Sequence, residues 1–268
     1  SHPFDISQDG KLLAAGTDLG TITVFDYSSG RKIVSLDGKY GFNNYVLFSP
    51  DSRSLLTAGT DNIAKLWSLP SGKEIRALDS TCGPAFSRDG KNIAVCNKDT
   101  IKLWNQEKGY EVASIVGHKD NVTSIAFSPD ALKIGSGSLD TTAKLWDVPS
   151  GESRGRLRGH TGPIKGITFS SDSRILASAS QDKTAKIWDV ETERERRTFV
   201  GHSNHVNSAA FSPDKRTIAT GSQDSSVKIW DLGSGLQQLS FDSVKPASVF
   251  YSPDGKIIAT AHFWDDTV

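Results

Sequence analysis

The chain has 268 residues, with 31 Lys+Arg against 31 Asp+Glu and a formal net charge of zero; 36% of residues are hydrophobic and 23% charged. That is the composition of an ordinary soluble globular protein, long enough to bury a sizeable core as one large domain or two small ones, and it excludes a disordered chain. No run of about 18 apolar residues exists, so a membrane-spanning helix is excluded, and the neutral balance removes the simplest argument for nucleic acid or an anionic membrane as partner. The first thirty residues carry no charged region followed by an apolar one, so no secretory leader is visible. There is also no Met, even at position 1, so the sequence reads as a processed product or a fragment. Cys82 and Cys96 are the only cysteines and flank the turn Arg88-Asp89-Gly90. Two are too few for a secreted disulfide scaffold, and they are expected to be mostly buried free thiols in a reducing compartment.

In chain order, short β-type runs recur between turn residues. An aromatic followed by Ser closes the first run of each unit: Phe48-Ser49, Phe86-Ser87, Phe127-Ser128, Phe169-Ser170, Phe211-Ser212 and Tyr251-Ser252, with Ile6-Ser7 in the matching place upstream. The third run ends in Trp-Asp or a near relative: Phe25-Asp26, Trp67-Ser68, Trp104-Asn105, Trp146-Asp147, Trp188-Asp189 and Trp230-Asp231, at steps of 42, 37, 42, 42 and 42 residues. Gly-His stands at 117–118, 159–160 and 201–202. In the fourth unit, NVTSIAFS (121–128), KIGSGS (133–138) and TTAKLWDV (141–148) are separated by turn chemistry. No stretch sustains a 3.6-residue apolar period, so no helix is predicted. The third run is apolar or β-branched on both faces, as a sheet packed on both sides requires. The fourth, SRGRLR (153–158), alternates Arg154, Arg156 and Arg158, which suits a guarded outer edge.

These markers share one period, and the chain resembles a WD40-repeat protein over essentially its whole length, best between Gly117 and Val200. The resemblance implies an all-β fold, a seven-bladed WD40 β-propeller of four-stranded blades, as one domain over 1–268 with units near 1–36, 37–78, 79–116, 117–158, 159–200, 201–241 and 242–268. The sequence stops where a third strand of the seventh unit is due, so the last blade is expected to be incomplete.

His118, Asp140 and Trp146 are spaced by 22 and 6 residues; His160, Asp182, Trp188 and His202, Asp224, Trp230 repeat both intervals, with Ser138, Ser180 and Ser222 two residues before each Asp. A hydrolase triad is needed once, whereas this grouping is stamped out three times with an indole attached. By resemblance each set is a WD40 structural tetrad, in which Asp orients His, His bonds Ser and Ser accepts from the Trp N–H. A buried indole N–H, imidazole and carboxylate all need such partners. A zinc site fails because equivalent positions on neighbouring blades lie about 10 Å apart. Units 1 to 3 depart from the pattern: Phe25 replaces Trp, Lys39 stands where His is due, and the third unit has no Gly-His.

The resemblance further implies that partners dock on the face built from the loops before the first strand and between the second and third. The residues expected there are Thr17, Thr60, Lys98, Leu139, Gln181, Gln223 and Trp264, joined by Asn44, Asn121, Thr123, Pro163, Lys165, His205 and Asn207, with Leu139 and Trp264 as apolar anchors. This mixed surface suits a peptide or protein more than phosphate. The expected function is a non-catalytic protein–protein interaction scaffold in a multiprotein complex, cytoplasmic or nuclear, without cofactor, metal, membrane partner or small-molecule substrate. The alternative is RNA binding through the basic groups Arg154/Arg156/Arg158 and Arg194/Arg196/Arg197; a propeller enzyme is the less favoured third reading.

Overall fold

The computed structural model describes residues 4–16, 20–37, 43–243 and 245–262, with backbone alone at 43, 44, 247 and 262. The described residues are all strand, turn and loop, with no helix. They divide into two compact units, Ser1–Ile115 and Val116–Val268. The first holds three four-stranded antiparallel sheets. Sheet one is β1 (Phe4–Ile6), β2 (Leu12–Gly16), β3 (Thr21–Asp26) and β4 (Lys32–Asp37); sheet two is β5 (Asn43–Phe48), β6 (Ser54–Gly59), β7 (Ile63–Ser68) and β8 (Glu74–Asp79). Sheet three is β9 (Ala85–Phe86), β10 (Asn92–Asn97), β11 (Thr100–Asn105) and β12 (Glu111–Val116). Strand β9 has only two residues, because Pro84 before it has no N–H to give a neighbouring strand.

The second unit holds sheet four, β13 (Val122–Phe127), β14 (Lys133–Ser138), β15 (Ala143–Asp147) and β16 (Ser153–Leu157), and sheet five, β17 (Ile164–Phe169), β18 (Ile175–Ser180), β19 (Thr184–Asp189) and β20 (Glu195–Val200). Sheet six is β21 (Val206–Phe211), β22 (Thr217–Ser222), β23 (Ser226–Asp231) and β24 (Gln237–Asp242). Strands β25 (Pro246–Tyr251) and β26 (Ile258–His262) form a two-stranded seventh. Six four-stranded meanders and a two-stranded seventh are the blade-type sheets that the repeats imply, the last incomplete among the described residues.

The aromatic-Ser marker has a local cause. In each of the seven first hairpins the Ser hydroxyl donates to the Asp two residues on, at 2.5–2.6 Å, as in Ser7–Asp9, Ser128–Asp130 and Ser252–Asp254. The same oxygen accepts the N–H five residues on, which closes the turn. The Ser-Pro steps at 49, 128, 212 and 252 therefore lie in structural turns.

Packing between sheets of the second unit explains the small residues. Ala143, Leu145 and Leu157 of sheet four close on Ile164, Phe169, Leu176 and Trp188 of sheet five. A Cβ on Gly135 would meet Leu176 Cδ1 at 2.7 Å, and one on Gly166 would meet the Asn207 carbonyl oxygen at 2.9 Å. Sheets five and six repeat the contact through Ile187, Phe199, Ile218 and Trp230. The first strands of sheets four to six each carry a β-bulge, between Val122 and Ser124, Ile164 and Gly166, and Val206 and Ser208. The extra residues are Thr123, Lys165 and Asn207.

The cysteines correct the sequence expectation. Cys82 and Cys96 are joined as a disulfide with Cα atoms 5.6 Å apart, not free thiols. The loop before β9 folds back onto β10, where the Thr81 N–H donates to the Cys96 carbonyl at 2.6 Å.

Candidate functional site

In sheet five the loop before β17 brings His160 against the turn between β18 and β19. Its Nδ1 lies 2.7 Å from Asp182 Oδ2 and its Nε2 lies 2.8 Å from Ser178 Oγ, which also accepts the Trp188 N–H at 2.8 Å. Sheet four repeats this with His118, Asp140, Ser136 and Trp146 at 3.0, 2.8 and 2.8 Å. Sheet six has His202, Asp224, Thr220 and Trp230 at 2.8, 2.7 and 2.8 Å. Ser136, Ser178 and Thr220 are wholly buried.

Ser138, Ser180 and Ser222 do not occupy the hydroxyl position assigned from the sequence. Each lies one strand period nearer the turn, because Trp146, Trp188 and Trp230 pair with Ile134, Leu176 and Ile218, and the indole reaches the residue two beyond that partner. Ser138 instead donates to the Asp120 carbonyl at 2.9 Å and accepts the Asp140 N–H at 3.0 Å. Ser180 and Ser222 make the same two bonds in their sheets. The missed signal is an interval of ten residues before Trp filled by Ser or Thr. It also finds Thr57, which accepts the Trp67 N–H at 3.0 Å in sheet two.

The electrostatics are those of a locked network. Burial pushes the carboxyl of Asp140 up, yet hydrogen bonds from Thr142, the Lys119 N–H and His118 outweigh it and hold the group well below the carboxylate range. Burial is opposed in the same way at Asp182 by His160 and Thr184. Ser226, the Ser203 N–H and His202 bring Asp224 down to about 2. His118 and His202 are pulled below the ordinary imidazole value by burial, against the pull of their Asp partners. A neutral imidazole with Nδ1–H on Asp and Nε2 receiving the hydroxyl proton satisfies every group.

Of the positions assigned to partner binding, those of sheets four to six fall at one end of their sheets. Leu139, Gln181 and Gln223 each precede the turn Asp, and their backbone N–H groups donate to Asn121, Pro163 and His205 at 2.9, 2.9 and 2.8 Å. All three side chains are half-buried, Leu139 among them. Lys165 and His205 are half-buried, and Asn121 is exposed. Two members are committed elsewhere. The Thr123 hydroxyl lies 2.6 Å from the Ile164 carbonyl and 3.0 Å from that of Gly137, and buried Asn207 donates through Nδ2 to the Pro246 carbonyl at 3.0 Å. The bulge aims both across to the next sheet. Thr60 and Lys98 are exposed and belong to the first unit. Thr17, Lys39 and Trp264 lie outside the described residues, as does the side chain of Asn44.

Several outer-strand arginines are tied down. Arg154 pairs with Asp147 and Glu191, Arg196 with Asp189, and Arg197 donates to the Gly233 and Ser234 carbonyls. An apolar cleft of the first unit, lined by Leu12, Val24, Ile33 and Leu69, brings only Ser52 and Arg53 as polar side chains.

A family profile described as "WD domain, G-beta repeat" matches residues 32–68, 109–147, 151–189 and 193–231. Over 145 residues the chain is 27% identical to Protein FIZZY-RELATED 3 of Arabidopsis thaliana, covering 51% of this chain and 30% of that protein. It is 29% identical to Cilia- and flagella-associated protein 52 of Chlamydomonas reinhardtii, covering 47% of this chain and 21% of that one. It is 32% identical to Protein tipD of Dictyostelium discoideum, covering 49% and 22%. The matched stretch is thus less than a third of each relative's length.

Proposed function

Because the chain belongs to the WD40-repeat family, with more than half its residues matched, we propose that it is a non-catalytic platform that binds proteins or peptides within a larger assembly. Its place of action on this reading is the cytoplasm, the nucleus or both. The observation that carries it is the threefold repetition of the His–Asp–hydroxyl–Trp network, in which each acid, imidazole and hydroxyl already has its partner. The groups left over lie at the rim of sheets four to six: Leu139, Gln181, Gln223, Lys165 and His205. Half-buried apolar and amide side chains on rigid hairpins suit peptide binding, because little side-chain freedom is lost on contact.

The test is affinity capture from a lysate with the chain and with its Leu139→Ala/Gln181→Ala/Gln223→Ala variant. Partners captured by the parent and lost by the variant, at equal melting temperature, support the rim. Equal recovery removes it. Turnover of a hydrolase substrate by the purified chain contradicts the non-catalytic reading.

A further inference from the structure

Five third strands carry a Lys two residues before Trp: Lys65, Lys102, Lys144, Lys186 and Lys228. In three of those sheets the fourth strand supplies a carboxylate. Lys186 Nζ lies 2.9 Å from Glu195 Oε2, Lys102 lies 3.6 Å from Glu111, and Lys65 lies 3.7 Å from Glu74. Glu195 and Glu74 stand across from the Trp of their sheets, and in sheet four that register position is Ser153, across from Trp146.

Sheet four not only lacks the carboxylate but adds charge of the same sign. Arg156 pairs directly across from Lys144, where sheet five has Thr198 and sheet six has Ser240. Like charges directly opposite on a sheet repel. Arg158 follows, at a position held by Asp37, Asp79 and Asp242 in sheets one, two and six. Lys144 is only 6% exposed; its ammonium donates to the Gly117 carbonyl and stands 5.4 Å over the Trp146 ring. Among the described residues no carboxylate comes within ion-pair distance of Lys144, Arg156 or Arg158. The nearby acid, Asp140, has its oxygens occupied by His118, Thr142 and the Lys119 N–H.

We propose that Lys144, Arg156 and Arg158, with Lys119 at the edge, form a phosphoryl-binding site on the outer part of sheet four, and that its ligand is a phosphorylated side chain of a protein partner. Sheets two, three and five each set one carboxylate against one Lys, and in sheet six Lys228 donates to the Ser240 hydroxyl. In sheet four Lys144 and Arg156 stand directly across from each other with Arg158 two residues on, and a dianionic phosphoryl group with three acceptor oxygens matches such a set of cations where a single carboxylate does not. Burial, then Arg156, Arg158 and Lys119, draw the Lys144 ammonium below the ordinary lysine value, which a bound dianion would reverse. The cluster is one point and not a stripe, since neighbouring Arg154 and Arg196 are already paired with carboxylates. Tracking a nucleic-acid backbone needs many phosphate contacts. The phosphoryl site stands independently of the rim, and only the identity of its carrier rests on the protein-binding reading above.

The test titrates the chain with inorganic phosphate, an acidic peptide carrying one phosphoserine, the same peptide unphosphorylated, and oligouridylate, following the amide resonances of Gly117, Lys144 and Arg156. The proposal expects saturable phosphate and phosphopeptide binding that shifts those resonances, with the unphosphorylated peptide at least about tenfold weaker. Ser153→Glu, which places the sister sheets' carboxylate beside Lys144, should weaken both by about tenfold or more and raise the melting temperature, and Arg156→Gln should weaken both. Ser153→Ala should bind like the parent. Undiminished phosphate binding by Ser153→Glu, equal affinity for the two peptides, no saturable binding, or displacement of the phosphopeptide by oligouridylate would each overturn it. Loss of captured partners in the rim variant is read separately and does not bear on this site.

Discussion

Val95 faces Trp104 from the place where Ser136, Ser178, Thr220 and Thr57 face their indoles. Trp104 pairs with Ile93, and the residue two beyond is Val95. The Trp104 N–H is accordingly buried without a partner. Val95→Thr keeps the shape and supplies an acceptor. The expected gain is about 0.5–1.5 kcal/mol in equilibrium urea unfolding, and a loss of stability would show that the indole and the new hydroxyl do not meet.

Ser178 and Ser180 separate by energy as well as by place. Ser178→Ala leaves both His160 Nε2 and the Trp188 N–H without a partner in a buried site, at a cost of about 2–4 kcal/mol. Ser180→Ala loses bonds to backbone groups of a turn nearer solvent, at about 1 kcal/mol. Urea unfolding of the pair checks the order, and a larger loss from Ser180→Ala would restore the sequence-based assignment.

Acid should loosen the second unit in two stages. His118 and His202 titrate lower when folded than their ordinary 6.5, so the unfolded chain binds protons first and stability falls as pH drops below 6.5. Asp140, Asp182 and Asp224 are also depressed. Their contribution is complete above the ordinary 3.8 and is lost as pH falls toward the folded value, about 2 for Asp224. A melting temperature that declines from pH 7 to 5 and again below 4 fits; one that rises on acidification does not.

Much of this was legible in the sequence, because strand alternation and turn chemistry are local. The Trp-Asp steps located the third strands, and the aromatic-Ser steps located the first hairpins. The hydroxyl of the network was misplaced because its choice between Ser136 and Ser138 depends on cross-strand register, which no spacing within one strand reveals. The commitment of Thr123 and Asn207 to neighbouring sheets was hidden for the same reason, since a bulge sets their direction. The unbalanced charge of Lys144 was hidden in the same way, because it depends on Ser153 holding the cross-strand place of Glu195.

Hydrogen exchange should follow the networks. Amides of β18, β19, β22 and β23 lie beside complete His–Asp–hydroxyl–Trp sets, whereas sheet one has Phe25 and sheet three leaves Trp104 unpaired. Sheets one to three are expected to exchange earlier, and equal protection across all six four-stranded sheets would contradict that.

The thermal unfolding midpoint of Asp182→Asn probes the role of the repeated networks most directly. If Asp182 holds His160 and the Thr161 N–H in place, losing its charge should cost about 1–3 kcal/mol and lower the midpoint by several degrees. An unchanged midpoint, with loss of a measurable turnover instead, would mean that these groups are chemical machinery rather than structure.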